Sequence, residues 1–188
     1  MQNFQKEKTE FLKKRDKSKI GEIDKDIKKL VEKINSKENF YTTSSCAGRI
    51  VLLEKESKKK FDCTWIFKKH DTVKFKEIFD LLKNKKFPNP VWFIQQPLIM
   101  HVSCKDLNCA KQFLNLSRKI FKKAGIIGLN EKRVMVEIIG TEHLETIVAD
   151  KNFVANEIYL KNLIRYANKN FEENKNNIGK FLEIVEEI

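Results

Sequence analysis

The sequence predicts an α+β fold: a mixed, largely antiparallel sheet built from three strand-strand-helix units, flanked by N- and C-terminal helices, and not a Rossmann fold. Two observations predict it. First, pairs of apolar strand-like runs are separated by short polar connections, which suits hairpins and antiparallel pairing. The same order of elements then returns down the chain, without identity of sequence. A third observation excludes the doubly wound alternative: neither GxGxxG nor GxxxxGK[ST] occurs, so nothing supports a dinucleotide fold or a Walker loop.

The elements follow in order. Residues 4–18 read as a charged helix whose few apolar points are Phe4, Phe11 and Leu12. Ile23, Ile27, Leu30, Val31 and Ile34 recur at helical spacing and mark a second helix, separated from the first at Ile20-Gly21. The pattern then changes. Residues 49–53 and 63–67 are strand cores, and the charged run 54–60 between them is a hairpin connection. Phe75, Ile78, Phe79 and Leu82 form a helix stripe that Pro88 and Pro90 stop. The second round has strands at 91–94 and 98–103, with Gln95-Gln96-Pro97 between them. Asp106 is placed to N-cap a helix carrying Ala110, Phe113, Leu114, Phe121 and Ala124, closed by Gly125. The third round has a short strand at 126–129, a longer one at 133–139, and a helix marked by Leu160, Leu163, Ile164, Ala167 and Phe171. An Asn-rich break at 174–177 precedes a last helix with Ile178, Phe181, Leu182 and Val185. The expected organisation is one domain over residues 1–188, with a helical segment at 1–36 and C-terminal helices at 157–188.

Composition bounds the function. The chain has 188 residues and a net charge of +12, and 33 of its 38 basic residues are Lys. Residues 171–188 carry two Lys against five Glu, so residues 1–170 hold +15. A basic body of this size predicts attraction to a polyanion, with affinity that falls as salt rises. No run of about 18 apolar residues is present, which excludes a membrane-spanning helix. The polar start, Met1-Gln2-Asn3-Phe4, does not suit a secretory signal, so the expected location is cytoplasmic. Four cysteines, Cys46, Cys63, Cys104 and Cys109, make no CxxC pair, and they are expected to be reduced and to hold no metal.

Candidate chemistry concentrates in a few runs. In 42–49, six small or small polar residues precede Gly48 and Arg49. Small side chains let backbone N–H groups approach an anion, hydroxyls add donors, and a guanidinium offers the fork that a carboxylate or phosphate needs. The same run also reads as an ordinary Ser/Thr-rich turn. Cys46 within it is a nucleophile beside the positively charged Arg49 or a small buried thiol. His101, inside the apolar run 97–102, is an acid/base or a satisfied core residue. His70 stands at a strand end, and His143 follows Gly140-Thr141-Glu142. Glu137 interrupts an apolar strand, and alternation sets it on the face of Met135 and Ile139. A carboxylate so placed is either paired, with Arg133 the available neighbour, or held protonated. Trp65, Phe67, Trp92 and Phe93 fill a sheet core or stack on bases.

Together these runs resemble a known family. Thr-x-Ser-Ser-Cys-Ala-Gly-Arg at 42–49, Trp…His at 65–70, Pro-x-x-x-His-Val at 97–102 and Arg-Val-Met-Val-Glu-Ile-x-Gly-Thr at 133–141 are similar to motifs of the third tRNA wybutosine-synthesizing protein family. The resemblance runs from the Ile23-Asp24 helix to that at Tyr166-Ala167-Asn168. It implies methyl transfer from S-adenosylmethionine to N-4 of a demethylated wyosine-type tricyclic base, in the anticodon region of tRNA(Phe). A monomer or weak homodimer is expected. A non-catalytic tRNA-binding module of a modification complex is the alternative. On this reading His101, Glu137 and Asp24 are the expected proton-handling residues. Ser44, Ser45, Gly48, Arg49 and Thr141 are the expected cofactor-binding set, and the sequence leaves open whether the hydroxyls and guanidinium hold the donor's carboxylate or a tRNA phosphate.

Overall fold

A computed structural model describes residues 2–13, 23–56, 63–83 and 85–188. Among these residues the order is α1 (Gln2–Leu12), α2 (Lys25–Ser36), β1 (Phe40–Cys46), β2 (Arg49–Lys55), β3 (Cys63–Lys69), α3 (Phe75–Lys83), β4 (Val91–Gln96), β5 (Ile99–Cys104), α4 (Leu107–Ser117), β6 (Lys123–Leu129), β7 (Val134–Ile139), β8 (Leu144–Ala149) and α5 (Glu157–Ile184). Every strand pairing is antiparallel, as the α+β expectation requires. The strands divide between two four-stranded sheets, ordered β1-β5-β7-β6 and β3-β2-β4-β8. The chain correspondingly forms two compact units, Met1–Ala47 with Leu98–Thr141 and Lys175–Ile188, and Gly48–Pro97 with Glu142–Asn174.

In the first unit, one face of the sheet is apolar and buried. Met100, Val102 and Cys104 from β5 and Val134, Val136 and Ile138 from β7 are each at most 2 % exposed. Alternation with period two sets these side chains on one face and their neighbours on the other. Ile27, Leu30, Val31 and Ile34 of α2, Ala110, Phe113 and Leu114 of α4, and Ile178 and Phe181 of α5 close over that face. Phe113 centres the cluster, its ring 5.5 Å from Phe40 and 6.0 Å from Phe181. The second unit repeats the scheme. Ile50, Leu52, Val91, Phe93 and Val148 pack against Ile78 and Leu82 of α3 and against Leu160, Leu163, Ile164, Ala167 and Phe171 of α5.

Local chemistry sets the helix starts. The Asp106 carboxylate accepts from the Cys109 N–H at 2.8 Å, so the expected N-cap is present. Glu77, in the first turn of α3, reaches back to the Lys74 N–H at 2.7 Å, which satisfies a donor the helix cannot.

The structure differs from the sequence reading at several places, the first being that β4 and β5, read as consecutive strands of one sheet, lie in different sheets. The 42–46 run is the end of strand β1 and not a turn. Strand β8 has no counterpart in the expected order. Helix α4 stops at Ser117, whose hydroxyl bonds back to the Phe113 carbonyl at 2.6 Å. Phe121 is folded inward onto Phe181, and Ala124 and Gly125 lie in edge strand β6. The Asn-rich stretch at 174–177 does not break α5, because asparagine only weakens a helix and neither Gly nor Pro interrupts it there. Asn174 is fully buried. Finally, the Ile20-Gly21 separation, the far end of the first expected helix and part of the 54–60 connection lie outside the described residues.

Candidate active site

The first unit's sheet carries its polar residues on the face opposite the core. Antiparallel register places Ser44 opposite His101, His101 opposite Glu137, and Glu137 opposite Gly125, one row across all four strands. The side chains of its first three members are hydrogen-bonded in turn. Ser44 Oγ lies 2.8 Å from His101 Nδ1, and His101 Nε2 lies 2.8 Å from Glu137 Oε2. A carboxylate only accepts, so Nε2 carries the proton. In a neutral ring Nδ1 is then an acceptor, to which the Ser44 hydroxyl donates. This assignment follows from the network of partners. The His101 and Glu137 side chains are 29 % and 28 % exposed, and Ser44 is exposed.

A β-bulge selects the hydroxyl. Pairing runs Tyr41 to Ser103 and Thr42 to Val102, then resumes at Ser44 to His101, with Thr43 as the extra residue. An extra residue inverts the alternation beyond it. Ser44 and Cys46 therefore share the face of His101, and Ser45, opposite Met100, is turned to the other. Thr43 also reaches the polar face, with its hydroxyl 3.5 Å from Met135 Sδ. Gly125 and Gly128 stand opposite Glu137 and Met135 on β6, and a Cβ at Gly125 would meet nothing within 4 Å. That side of Glu137 is open.

Helix α1 covers one end of this face. Phe4 and Phe11 each set their rings 5.4 Å from Tyr41. Tyr41 donates to Glu7 at 3.0 Å, and Arg133 bonds both Glu7 and the Tyr41 oxygen. Burial pushes the Tyr41 hydroxyl up from its ordinary range. Arg133 is thus engaged by α1, and the partner of Glu137 is His101, not the arginine four residues back.

The other expected residues are placed as follows. Asp24 precedes α2 and its Oδ2 accepts from the Ala47 N–H at 2.8 Å, which ties down the end of β1. Thr141 is exposed just beyond β7. The boundary between the two units falls inside the expected anion cradle, so Ser44 and Ser45 belong to the first unit and Gly48 and Arg49 to the second. Gly48 has φ +113°, and a Cβ there would stand 2.8 Å from the Gln96 carbonyl oxygen. Arg49 donates through Nε to Gln96 Oε1 at 2.6 Å, and its guanidinium lies 5.2 Å from the centre of the Trp65 ring. His70 follows β3, and His143 lies 3.9 Å from Glu145. All four cysteines are free thiols. Among the described residues no helix is long and apolar enough to cross a membrane.

Sequence reasoning named Ser44, His101 and Glu137 separately but missed that they form one chain. The signal was available in part. His101 and Glu137 each occupy the polar phase of an apolar alternation, in strands able to pair.

Known proteins resemble the whole chain. A family model described as Methyltransferase TYW3 matches residues 5–187. A tRNA(Phe) 7-((3-amino-3-carboxypropyl)-4-demethylwyosine(37)-N(4))-methyltransferase of Methanocaldococcus jannaschii is 34 % identical over 173 residues, covering 89 % of each chain. The tRNA wybutosine-synthesizing protein 3 homolog of Mus musculus is 33 % identical, over 95 % of this chain and 71 % of its own. The PH1069 protein of Pyrococcus horikoshii superposes with a TM-score of 0.90 at 31 % identity, over 98 % of this chain and 96 % of that one. This chain belongs to the Methyltransferase TYW3 family.

Proposed function

We propose that this protein methylates N-4 of 7-(3-amino-3-carboxypropyl)-4-demethylwyosine at position 37 of tRNA(Phe), the reaction that its archaeal relatives are named for. The methyl donor on this reading is S-adenosylmethionine. When bound, it supplies an electrophilic methyl carbon on sulfur. The observation that carries the reading is the row Ser44–His101–Glu137.

N-4 must lose its proton as it gains the methyl group. Ser44, the exposed end of the row, accepts that proton at Oγ while passing its own to His101 Nδ1. Glu137 stabilises the imidazolium that results. The new bond joins N-4 to the methyl carbon, and the bond from that carbon to sulfur breaks, leaving its electron pair on sulfur. The chain's part is to hold the two reactants at near-attack distance, roughly 3 Å, and to remove the proton. In the second unit Arg49 offers a guanidinium, held by Gln96, to a tRNA phosphate. Thr141, exposed beyond β7, offers a hydroxyl to the donor or to a tRNA phosphate, whereas Ser45 is turned to the opposite face of the sheet.

Incubation with S-adenosylmethionine and tRNA(Phe) from cells lacking this activity tests the reading. Nucleoside mass spectrometry should show the tricyclic base gaining one methyl group. An unchanged base refutes the assignment.

A further inference from the structure

The second unit's sheet has a face that methyl transfer leaves unexplained. Its core face takes Ile50, Leu52, Phe93 and Val148, with Ile66 and Phe67 against them. The opposite face bears both tryptophans of the chain. Register sets Trp65 opposite Leu53, Leu53 opposite Trp92, and Trp92 opposite Ile147, one row over four strands. A register shift in β3 between the partners of Leu52 and Leu53 separates Trp65 from Phe67 and gives it to this face. Trp65 is 52 % exposed on an edge strand. An indole left half in water contributes little to the core, so packing does not account for it.

Cations accompany both rings. The Arg49 guanidinium lies 5.2 Å from the Trp65 ring centre, and Lys55 Nζ lies 4.3 Å from that of Trp92. Lys68 is exposed in the next row, opposite Val51. Glu145 pairs with Lys55 at 2.8 Å. Exposed aromatic rings flanked by cations are the combination that takes single-stranded nucleic acid. A base stacks on the ring, and its phosphate meets the charge. A duplex offers no free base face, and a chain carrying +12 favours a polyanion over a neutral or basic partner.

We propose that this face is a platform for single-stranded nucleotides of the tRNA substrate, with one base stacked on Trp65 and the neighbouring phosphates met by Arg49, Lys55 and Lys68. The proposal rests on the tRNA reading above and adds the surface that grips the loop. The same face would bind an unmodified loop, because every base has a π-face.

The chain's two tryptophans make the test direct. In the W92F protein, Trp65 is the only indole. A synthetic anticodon stem-loop of tRNA(Phe) should quench its fluorescence saturably, and a fully paired RNA of the same length should not. Substitution W65A should weaken stem-loop binding about tenfold, with W65F restoring part of the loss. Stem-loop binding by W65A at wild-type affinity, or a stem-loop that binds W92F without quenching, overturns the platform. Should W65A fail to fold, the W92F titration decides alone. Failure of the methyltransferase reading looks different: saturable quenching with no methyl transfer leaves the platform standing. Methyl transfer with unchanged affinity in W65A removes the platform and leaves the reaction.

Discussion

Substitution of Glu137 by Gln keeps the shape of the side chain and removes its charge opposite His101. The carboxylate and the ring meet at 2.8 Å between heavy atoms, which sets the charge centres roughly 4 Å apart. At that separation an ion pair is worth about 4 kcal/mol with an effective dielectric constant near 20, and about 1 kcal/mol in bulk water. Both side chains are a little over a quarter exposed, so a value of about 2 kcal/mol is appropriate. If His101 becomes an imidazolium as N-4 loses its proton, that amount appears in the barrier and slows the step roughly 30-fold. The amide adds a second loss. It can donate to Nε2, which moves the ring proton to Nδ1 and leaves the Ser44 hydroxyl without its acceptor. The assay is single-turnover methylation of tRNA(Phe) with donor and tRNA both saturating, so that binding does not contribute. A matching circular dichroism spectrum and melt establish that the variant is folded. A folded E137Q protein reacting at the wild-type rate would refute the proton-acceptor argument, because the charge would then play no part in the step.

Three further outcomes follow from the geometry. Substitution G48A forces a side chain into φ +113°, with its Cβ 2.8 Å from a backbone oxygen, and should cost about 3 kcal/mol, read as a lower urea midpoint; an unchanged midpoint would show the turn to be unstrained. The Cys109 N–H, the first of the backbone donors to Asp106, holds that carboxyl below the usual range, so the cap contributes stability above about pH 4 that is lost as pH falls through the lower folded value. D106A should therefore cost about 1 kcal/mol at neutral pH and D106N only tenths, and equal melts of D106A and wild type would count against the cap. Burial pushes the Cys104 thiol up to about 12, so iodoacetamide at pH 8 should alkylate the half-buried Cys46 and Cys63 while Cys104 reacts only on unfolding; labelling of Cys104 alongside Cys63 in the native protein would contradict this.

Much of the fold was legible because its strands have a buried face and alternate cleanly. Strand β7 reads Val134, Val136 and Ile138 inward with Met135, Glu137 and Ile139 outward, and the structure keeps that phase. Strand β1 was not legible, since Thr42 to Cys46 carry no apolar alternation and gain their place by pairing with β5. Strand β8 begins beside His143 and Leu144, where Glu145 and Thr146 mask its phase. The length of α5 was concealed by its asparagines, which lower helix propensity only slightly and are overridden by burial at Phe171, Asn174 and Ile178. The end of α4 was missed because Phe121 kept the apolar period running through a turn.

The site was legible as a set of residue types and illegible as an arrangement, and one residue accounts for the difference. Without a bulge, strict alternation from Tyr41 would bring Thr43 and Ser45 to the face of His101. With Thr43 as the extra residue, Ser44 is the hydroxyl that reaches Nδ1. No propensity argument locates that residue in a run of four consecutive hydroxyl side chains. The antiparallel sheet is what makes the arrangement possible. Parallel α/β sheets are covered by helices on both faces, so their chemistry collects at strand ends and helix N-termini. Here one face of the sheet packs the core, and the other can carry a row of donors and acceptors whose spacing is set by strand separation, about 4.8 Å. Successive side chains across such a row are within hydrogen-bond reach by construction. A hydrogen-bonded row of serine, histidine and glutamate then needs only the correct phase in three strands, and the bulge supplies it in the first.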